Sequence, residues 1–320
     1  MNTIDALYAG FVSALPETLR PVAEDLPYVL RLSPVPRQPW SAVFSQPVTL
    51  EAPRLFAAGL PRPDPELVRR SVLAHALSVI EAFGTDRILD RQALTTPELL
   101  AVLEELRRSR DTVLESIWPD AVALARSADR ETTEAIKEET ALLRRLGAVT
   151  FEEYRRISLA KQAVGFPATV ALAHACGASD QQIEKTRRAL SGVWLGLQFE
   201  DDTGDWEDDW RRGGGAWAVS LARRKLEAVK EKSADERPTE PDLVRRRVHR
   251  MRILYLMLQG ARHQYRVGWR YARSVGATQL AVWADERVRR LDALLPLEAQ
   301  HAGYYVRALK LAPWAAEVLT

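Results

Sequence analysis

A chain of 320 residues with 47% hydrophobic and 28% charged side chains has ample apolar material for a large core, which excludes a disordered protein. Its 45 basic and 43 acidic residues leave a formal net charge of +2, so overall charge does not call for nucleic acid or an anionic membrane surface. The single cysteine, Cys176, excludes an intramolecular disulfide and a multi-cysteine metal cluster and fits a reducing compartment, so a cytoplasmic location is expected.

In chain order, Asp5 precedes any apolar run and no basic region leads into a hydrophobic core, so no secretory signal is expected. Eleven of the 18 prolines fall in the first 65 residues. Proline removes a backbone donor and disfavours helix in the residue before it, so residues 1–64 read as an irregular, proline-rich N-terminal arm. From Pro65 onward, segments rich in Ala, Leu, Arg and Glu carry a helical period with almost no strand-like alternation. Helices are predicted over 65–91, 96–127, 130–146, 150–176, 179–208, 215–232, 240–275, 277–294 and 296–311. Stop signals agree with this: Gly147 after Arg144 and Arg145, Gly177 before Ser179, the triple glycine 213–215, and the polar loop from Ser233 to Pro241. The predicted class is all-α, with one large helical bundle over 65–320, because no polar linker divides the helices. The longest weakly polar run, Ala163 to Ala178, contains Pro167 and His174 and is shorter than the roughly 20 residues a bilayer requires, so no membrane span is expected.

Two predicted helices end their apolar stripes in acids. In 65–91 the stripe reads Val72, Ala76, Val79, Phe83, Asp86, Asp90; in 179–208 and just beyond it reads Leu190, Trp194, Leu197, Asp201, Asp205, Asp209. Residues at three- and four-residue steps share one helical face. Carboxylates four apart sit roughly 6 Å from each other and repel by about 3 kcal/mol at an effective dielectric near 20. Such faces want a cation. Two helices of this design would face each other and hold magnesium through oxygen ligands, leaving coordination positions for water and a phosphate. The competing reading, a solvated acidic surface, applies to Asp202, Glu207 and Asp208.

The run Gln198, Phe199, Glu200, then Asp201-Asp202-Thr203-Gly204-Asp205 resembles the Phe-Gln followed by DDxxD of the trans-prenyl diphosphate synthases, a branch of the class I isoprenoid synthases, with the Gln and Phe transposed. Upstream, EEYRRISLAKQAVGFPATVALAHACGAS (152–179) is similar to the family's helix with a lysine on one turn, a small-residue face and a Gly-Ala pair. Lys161 stands 40 positions before Asp201, close to the spacing of the family's diphosphate-binding lysine. The segment DWEDDWRRGG (205–214) is similar to the second acidic motif of squalene and phytoene synthases. Asp201, Asp205 and Asp209 also fit the i, i+4, i+8 ligand pattern of terpene cyclases. The first motif, Asp86-Arg87-Ile88-Leu89-Asp90, keeps the outer acids of DDxxD and has arginine in the second position. Only Arg91 follows it, where prenyl synthases carry an Arg pair, and the groups that would hold isopentenyl diphosphate are not recognisable.

The resemblance, over residues 66–311, implies an isoprenoid-synthase bundle that uses Mg2+ to ionise a prenyl diphosphate. The metal ligands it implies are Asp86, Asp90, Asp201, Asp202, Asp205 and Asp209. The diphosphate would be held by Arg155, Arg156, Lys161, Arg211 and Arg212 through charge-assisted hydrogen bonds. Ser158, Lys161, Gly165, Ala168 and Ala171 recur at helical steps and would form a small-residue face bordering the pocket. Phe83 and Trp194 would line the cavity for the carbocation, since ring faces attract positive charge within about 6 Å, with Gln198 completing the catalytic set. The expected function is a class I terpene synthase that cyclises or eliminates the cation. The alternatives are a prenyl diphosphate synthase or a head-to-head coupling enzyme and, from another class, a catalytically silent helical partner subunit. Such folds commonly pair, so a homodimer is expected by analogy.

The remaining signals are weaker. Histidines 75, 174, 249, 263 and 301 are scattered, and the ExxH from Glu298 to His301 lacks the second copy a di-iron bundle requires. No Gly-x-Ser-x-Gly elbow, phosphate-cradling glycine loop or zinc spacing is present. The basic segment 245–273 has an apolar side through Ile253, Leu256, Leu258 and Val267, so it reads as a packed helix with a solvated face, and no nucleic-acid partner is expected.

Overall fold

The computed structural model describes residues 3–144, 150–211, 217–227 and 240–311. Among the described residues there are fifteen α-helices, one short 3-10 turn and no strand, so the chain is all-α. In order they are α1 (Thr3–Ala14), α2 (Arg20–Glu24), α3 (Leu26–Val29), α4 (Trp40–Val43), α5 (Pro47–Ala57), α6 (Pro65–Leu89), α7 (Pro97–Glu115), α8 (Ala121–Arg144), α9 (Phe151–Lys161), the 3-10 turn Ala163–Gly165, α10 (Pro167–Ala175), α11 (Asp180–Arg211), α12 (Trp217–Glu227), α13 (Glu240–Arg250), α14 (Ile253–Ser274) and α15 (Thr278–Leu311). No helix among the described residues is long and apolar enough to cross a membrane.

The chain forms two compact units. The first comprises Met1–Lys137, Leu159–Leu190 and Trp269–Val282; the second comprises Glu138–Ser158, Ser191–Gly268 and Trp283–Thr320.

In the first unit, α6 is the central helix. Between Ser71 and Glu81 every position except Leu73 is buried, which is the pattern of a helix surrounded by others. Helices α1, α5, α7 and α10 pack against it. The first 64 residues are therefore largely helical, and their side chains join the core rather than stand apart as an arm. Ile4, Leu7, Phe11, Leu26 and Trp40 share one apolar cluster with Val72, Ala76 and Ile80 of α6 and Leu99 and Leu106 of α7. The prolines misled the sequence reading for an identifiable reason. Pro21, Pro27, Pro47, Pro65, Pro97 and Pro167 all occupy the first turn of a helix, where the missing N–H has no intrahelical partner to lose.

Several predicted helix boundaries differ, among them 240–275, which is two helices, α13 and α14, parting at Met251 and Arg252. The stretch 96–127 breaks at Pro119, and α8 runs on through the gap expected near 128–129. The stretch 150–176 breaks after Lys161, because Pro167 starts a new helix and cannot continue the old one. Conversely, 277–294 and 296–311 are a single α15 passing through Pro296. Buried Leu291, Leu295 and Ala302 flank that proline, and their packing outweighs one lost backbone bond.

In the second unit, α12 packs on α13, and α11 crosses α14 closely. A Cβ on Gly192 would lie 2.7 Å from the backbone nitrogen of Gly268 and 2.9 Å from the carbonyl of Gln264. A Cβ on Gly196 would lie 2.7 Å from the Tyr265 ring. Glycine at both positions is a condition of this crossing.

Candidate acidic and basic site

The first acidic motif ends α6. Asp86 lies within its last turn and is partly buried, and its Oδ1 has no hydrogen-bond partner although water cannot reach it. The Lys161 ammonium is 3.9 Å from that oxygen, too far for a hydrogen bond but close enough for strong attraction. Lys161 closes α9, so its charge also favours the negative end of that helix. A buried, unengaged carboxylate oxygen beside an ammonium is suited to a cation and an anion held together.

Asp90 does not share that environment. It is the C-cap of α6, with φ −81° and ψ 3°, and it is exposed. The Asp90 N–H still bonds to the Asp86 carbonyl at 2.9 Å, so the two acids remain one turn apart at the end of α6, with Asp90 on its exposed rim. Arg91 follows with φ 56°, its N–H donating to the Ile88 carbonyl and the Gln92 N–H to the Arg87 carbonyl. These two bonds form a Schellman ending with arginine in the left-handed position where glycine is usual. The Arg87 guanidinium, in the place of a second acid, donates to Gln92 Oε1.

The second motif lies on α11, in the second unit. Its helix begins with a capping box: Gln182 N–H donates to Ser179 Oγ, and Ser179 N–H to Gln182 Oε1 at 2.9 Å. Thr150 and Glu153 start α9 in the same way. On α11 the buried acid is Asp202, 7% exposed, while Asp201 is exposed and Asp205 half-buried. The stripe through Leu190 and Trp194 is buried as expected, but by residue 201 the buried face has shifted by one residue. Asp202 accepts hydrogen bonds from the Tyr154 hydroxyl at 2.5 Å and from Gln198 Nε2 at 2.7 Å, one on each oxygen. Burial pushes its carboxyl up to about 8, against the opposing pull of those two donors. Burial, then the adjoining Asp202, raises the Tyr154 hydroxyl well above its ordinary range. With both oxygens engaged by these donors, Asp202 holds Tyr154 and Gln198 in place on the buried side of α11.

Around this group, Tyr154 stacks on Trp217 with ring centroids 5.7 Å apart and tilts against Phe199 at 5.4 Å, an apolar wall that keeps water from Asp202. Gln198 is thereby a partner of Asp202, and Trp194 is a buried core aromatic, 6% exposed. Phe83, in the first unit, packs on Phe44 with centroids 4.8 Å apart. Arg155 pairs with Glu152 at 2.7 Å and Arg156 with Glu138, all largely exposed. Both arginines are thus engaged in surface ion pairs. The small-residue face also changes role. The helix breaks between Lys161 and Pro167, and Ala168 and Ala171 lie in a core cluster with Ala74 and Leu114. The side chains of Asp209 and Arg211, and the whole of Arg212, lie outside the described residues.

The sequence reading missed a second buried charge group. Glu200 accepts from the Tyr265 hydroxyl at 2.6 Å and from Arg287 Nη2 at 2.6 Å, with the guanidinium 5.9 Å from the ring centres of both Tyr265 and Trp283. Burial, and then Glu200, raises the Tyr265 hydroxyl far above its ordinary range. The available signal was Glu200 itself, an acid directly before the motif on the side of α11 that Gly192 and Gly196 bring against α14.

No protein-family model matches the sequence, and no curated protein matches it. Solved structures do resemble it. A polyprenyl synthetase from Streptomyces coelicolor is 16% identical, with a TM-score of 0.67 over 89% of this chain and 96% of that one. A geranylgeranyl pyrophosphate synthase from Lactobacillus brevis is 14% identical, with a TM-score of 0.64 over 90% and 96%. A polyprenyl synthase from Caulobacter crescentus, complexed with calcium and isoprenyl diphosphate, is 18% identical, with a TM-score of 0.58 over 88% of each chain. This chain has the all-α fold of the class I isoprenoid synthases.

Proposed function

We propose that the chain is an enzyme of prenyl diphosphate chemistry, and specifically a prenyltransferase that joins prenyl diphosphates. The observation carrying this reading is Asp86, whose buried Oδ1 has no hydrogen-bond partner and pairs with the Lys161 ammonium at 3.9 Å. That pairing suits a metal-bound diphosphate. The likeness in fold to polyprenyl and geranylgeranyl diphosphate synthases supports transfer over the cyclisation that the sequence alone placed first.

Asp86 and Asp90 of the first motif are proposed to bind magnesium, and Asp201 and Asp205 of the second motif are, independently, candidates for the same role. The ion, when bound, supplies positive charge to the oxygens of the leaving diphosphate. Lys161 supplies a charge-assisted hydrogen bond to the same anion. Asp202, Tyr154 and Gln198 fix the turn of α11 that presents Asp201 and Asp205. The single thiol, Cys176, suits a reducing, cytoplasmic setting.

The cyclase reading stays as the rival because Arg87 replaces an acid and only one arginine follows the motif. Incubation with geranyl, farnesyl and geranylgeranyl diphosphate plus magnesium, with and without isopentenyl diphosphate, separates the two. Longer diphosphates that require isopentenyl diphosphate are expected. Hydrocarbons or alcohols of unchanged carbon number would replace transfer by cyclisation, and absence of both turnover and diphosphate binding would overturn each reading.

A further inference from the structure

Outside the acidic motifs, three side chains of the second unit converge without a role in the chemistry above. His249 lies in the last turn of α13, and Glu298 and His301 lie three residues apart on α15, hence on one face. The two imidazole rings meet edge to face with centroids 5.6 Å apart. One ligand atom from each of the three residues lies within 4.8 Å of the other two. Around a tetrahedral ion with bonds of about 2.0–2.1 Å, ligand atoms sit about 3.4 Å apart. Closing the set therefore asks each side chain to move inward by about 1 Å or less, which rotation about side-chain bonds accommodates. His249 and Glu298 are half-buried and His301 is exposed, so an ion could enter from solvent while two of its ligands remain shielded.

The donor chemistry selects the ion. Two imidazole nitrogens and one carboxylate oxygen suit a borderline divalent transition metal, whereas magnesium takes oxygen ligands almost alone. In sequence, Glu298 and His301 were an incomplete pair; the third donor comes from α13. We propose that His249, Glu298 and His301 form a zinc site, separate from the magnesium chemistry, that ties α13 to α15 and leaves its fourth position to water. Because the ligands come from two helices, binding stabilises the contact between them by linkage.

The test uses the full chain without a polyhistidine tag, stripped by chelator and held in millimolar magnesium. Zinc titration is expected to leave one equivalent bound after desalting and to raise the melting temperature. Cobalt(II) in its place should show the visible absorption of a four- or five-coordinate nitrogen and oxygen site. His301→Ala removes an exposed ligand and should not disturb the core; with Glu298→Gln and His249→Ala it is expected to weaken zinc by at least about 10–100-fold, the size of effect seen even for outer-sphere changes. Circular dichroism confirms that each variant retains its helices. Wild-type protein that keeps no zinc after desalting, or a folded His301→Ala variant with unchanged affinity and stoichiometry, would overturn the proposal.

Discussion

The two acidic motifs look like copies of one design in sequence, yet they differ at the same place. In the first, the second position is Arg87, bonded to Gln92 at the end of α6. In the second, that position is Asp202, driven into the core against Tyr154 and Gln198. Both second positions are engaged in hydrogen bonds within the chain. The comparison teaches that the outer acids are the ones to examine for metal binding, and that the inner position is free to serve local structure. It also shows the outer pairs to be unequal: Asp201 and Asp205 stand on a continuing helix, whereas Asp90 is the exposed C-cap of its own.

The sharpest way to break the comparison is through Asp202. Its folded pKa, near 8, is above the ordinary carboxylate value, so the folded state binds a proton that the unfolded state has released. Stability from this group is complete below about pH 4 and is lost as pH rises through the folded pKa near 8. A shift of that size corresponds to on the order of 5 kcal/mol. Asp202→Asn, which stays neutral, should lack this loss, so urea midpoints at pH 5 and pH 8.5 should converge in the variant relative to wild type. Parallel pH dependence in the two proteins would mean that Asp202 ionises freely and returns it to the candidate ligands.

Activity sharpens the contrast between outer acids. Asp86→Asn and Asp205→Asn should each lower kcat/KM by about 100-fold or more, the scale expected when one preorganised electrostatic group is removed. Asp90→Asn should lower it only a few-fold, because Asp90 is exposed past the helix end. Steady-state kinetics at saturating magnesium read both, and an Asp90 effect equal to that of Asp86 would mean that α6 extends when metal binds. Lys161→Met should come between them, raising KM for the allylic diphosphate by about 10-fold with less change in kcat, the signature of a lost ground-state contact.

Much of this was legible in the residues. The helical class follows from the period of Ala, Leu, Arg and Glu, and the small-residue spacing around Lys161 marks that lysine as a candidate. The pairing of Lys161 with Asp86 was not legible, because it depends on α9 ending at Lys161, beside the end of α6. The inward turn of Asp202 was hidden for a related reason. A stripe drawn at three- and four-residue steps cannot decide between adjacent acids when Tyr154, 48 positions away, supplies the hydrogen bond. Glu200 escaped notice because its partners, Tyr265 and Arg287, are 65 and 87 positions distant. Proline was the most misleading residue: its count suggested irregular chain, while its placement in first turns made helices that build the core beneath α6.

The smallest effect bears on why the first motif stops where it does. Arg91 holds φ 56°, a left-handed conformation in which a side chain with a Cβ is strained by about 1 kcal/mol relative to glycine. Arg91→Gly relieves that strain but loosens the unfolded chain, so the net gain should be about 0.5 kcal/mol or less, measurable as a slightly raised urea midpoint. Turnover separates two reasons for keeping arginine there. Unchanged kcat and KM would make Arg91 only a helix stop, whereas a raised KM for diphosphate in a protein at least as stable would show that the strain is retained because the guanidinium meets the substrate.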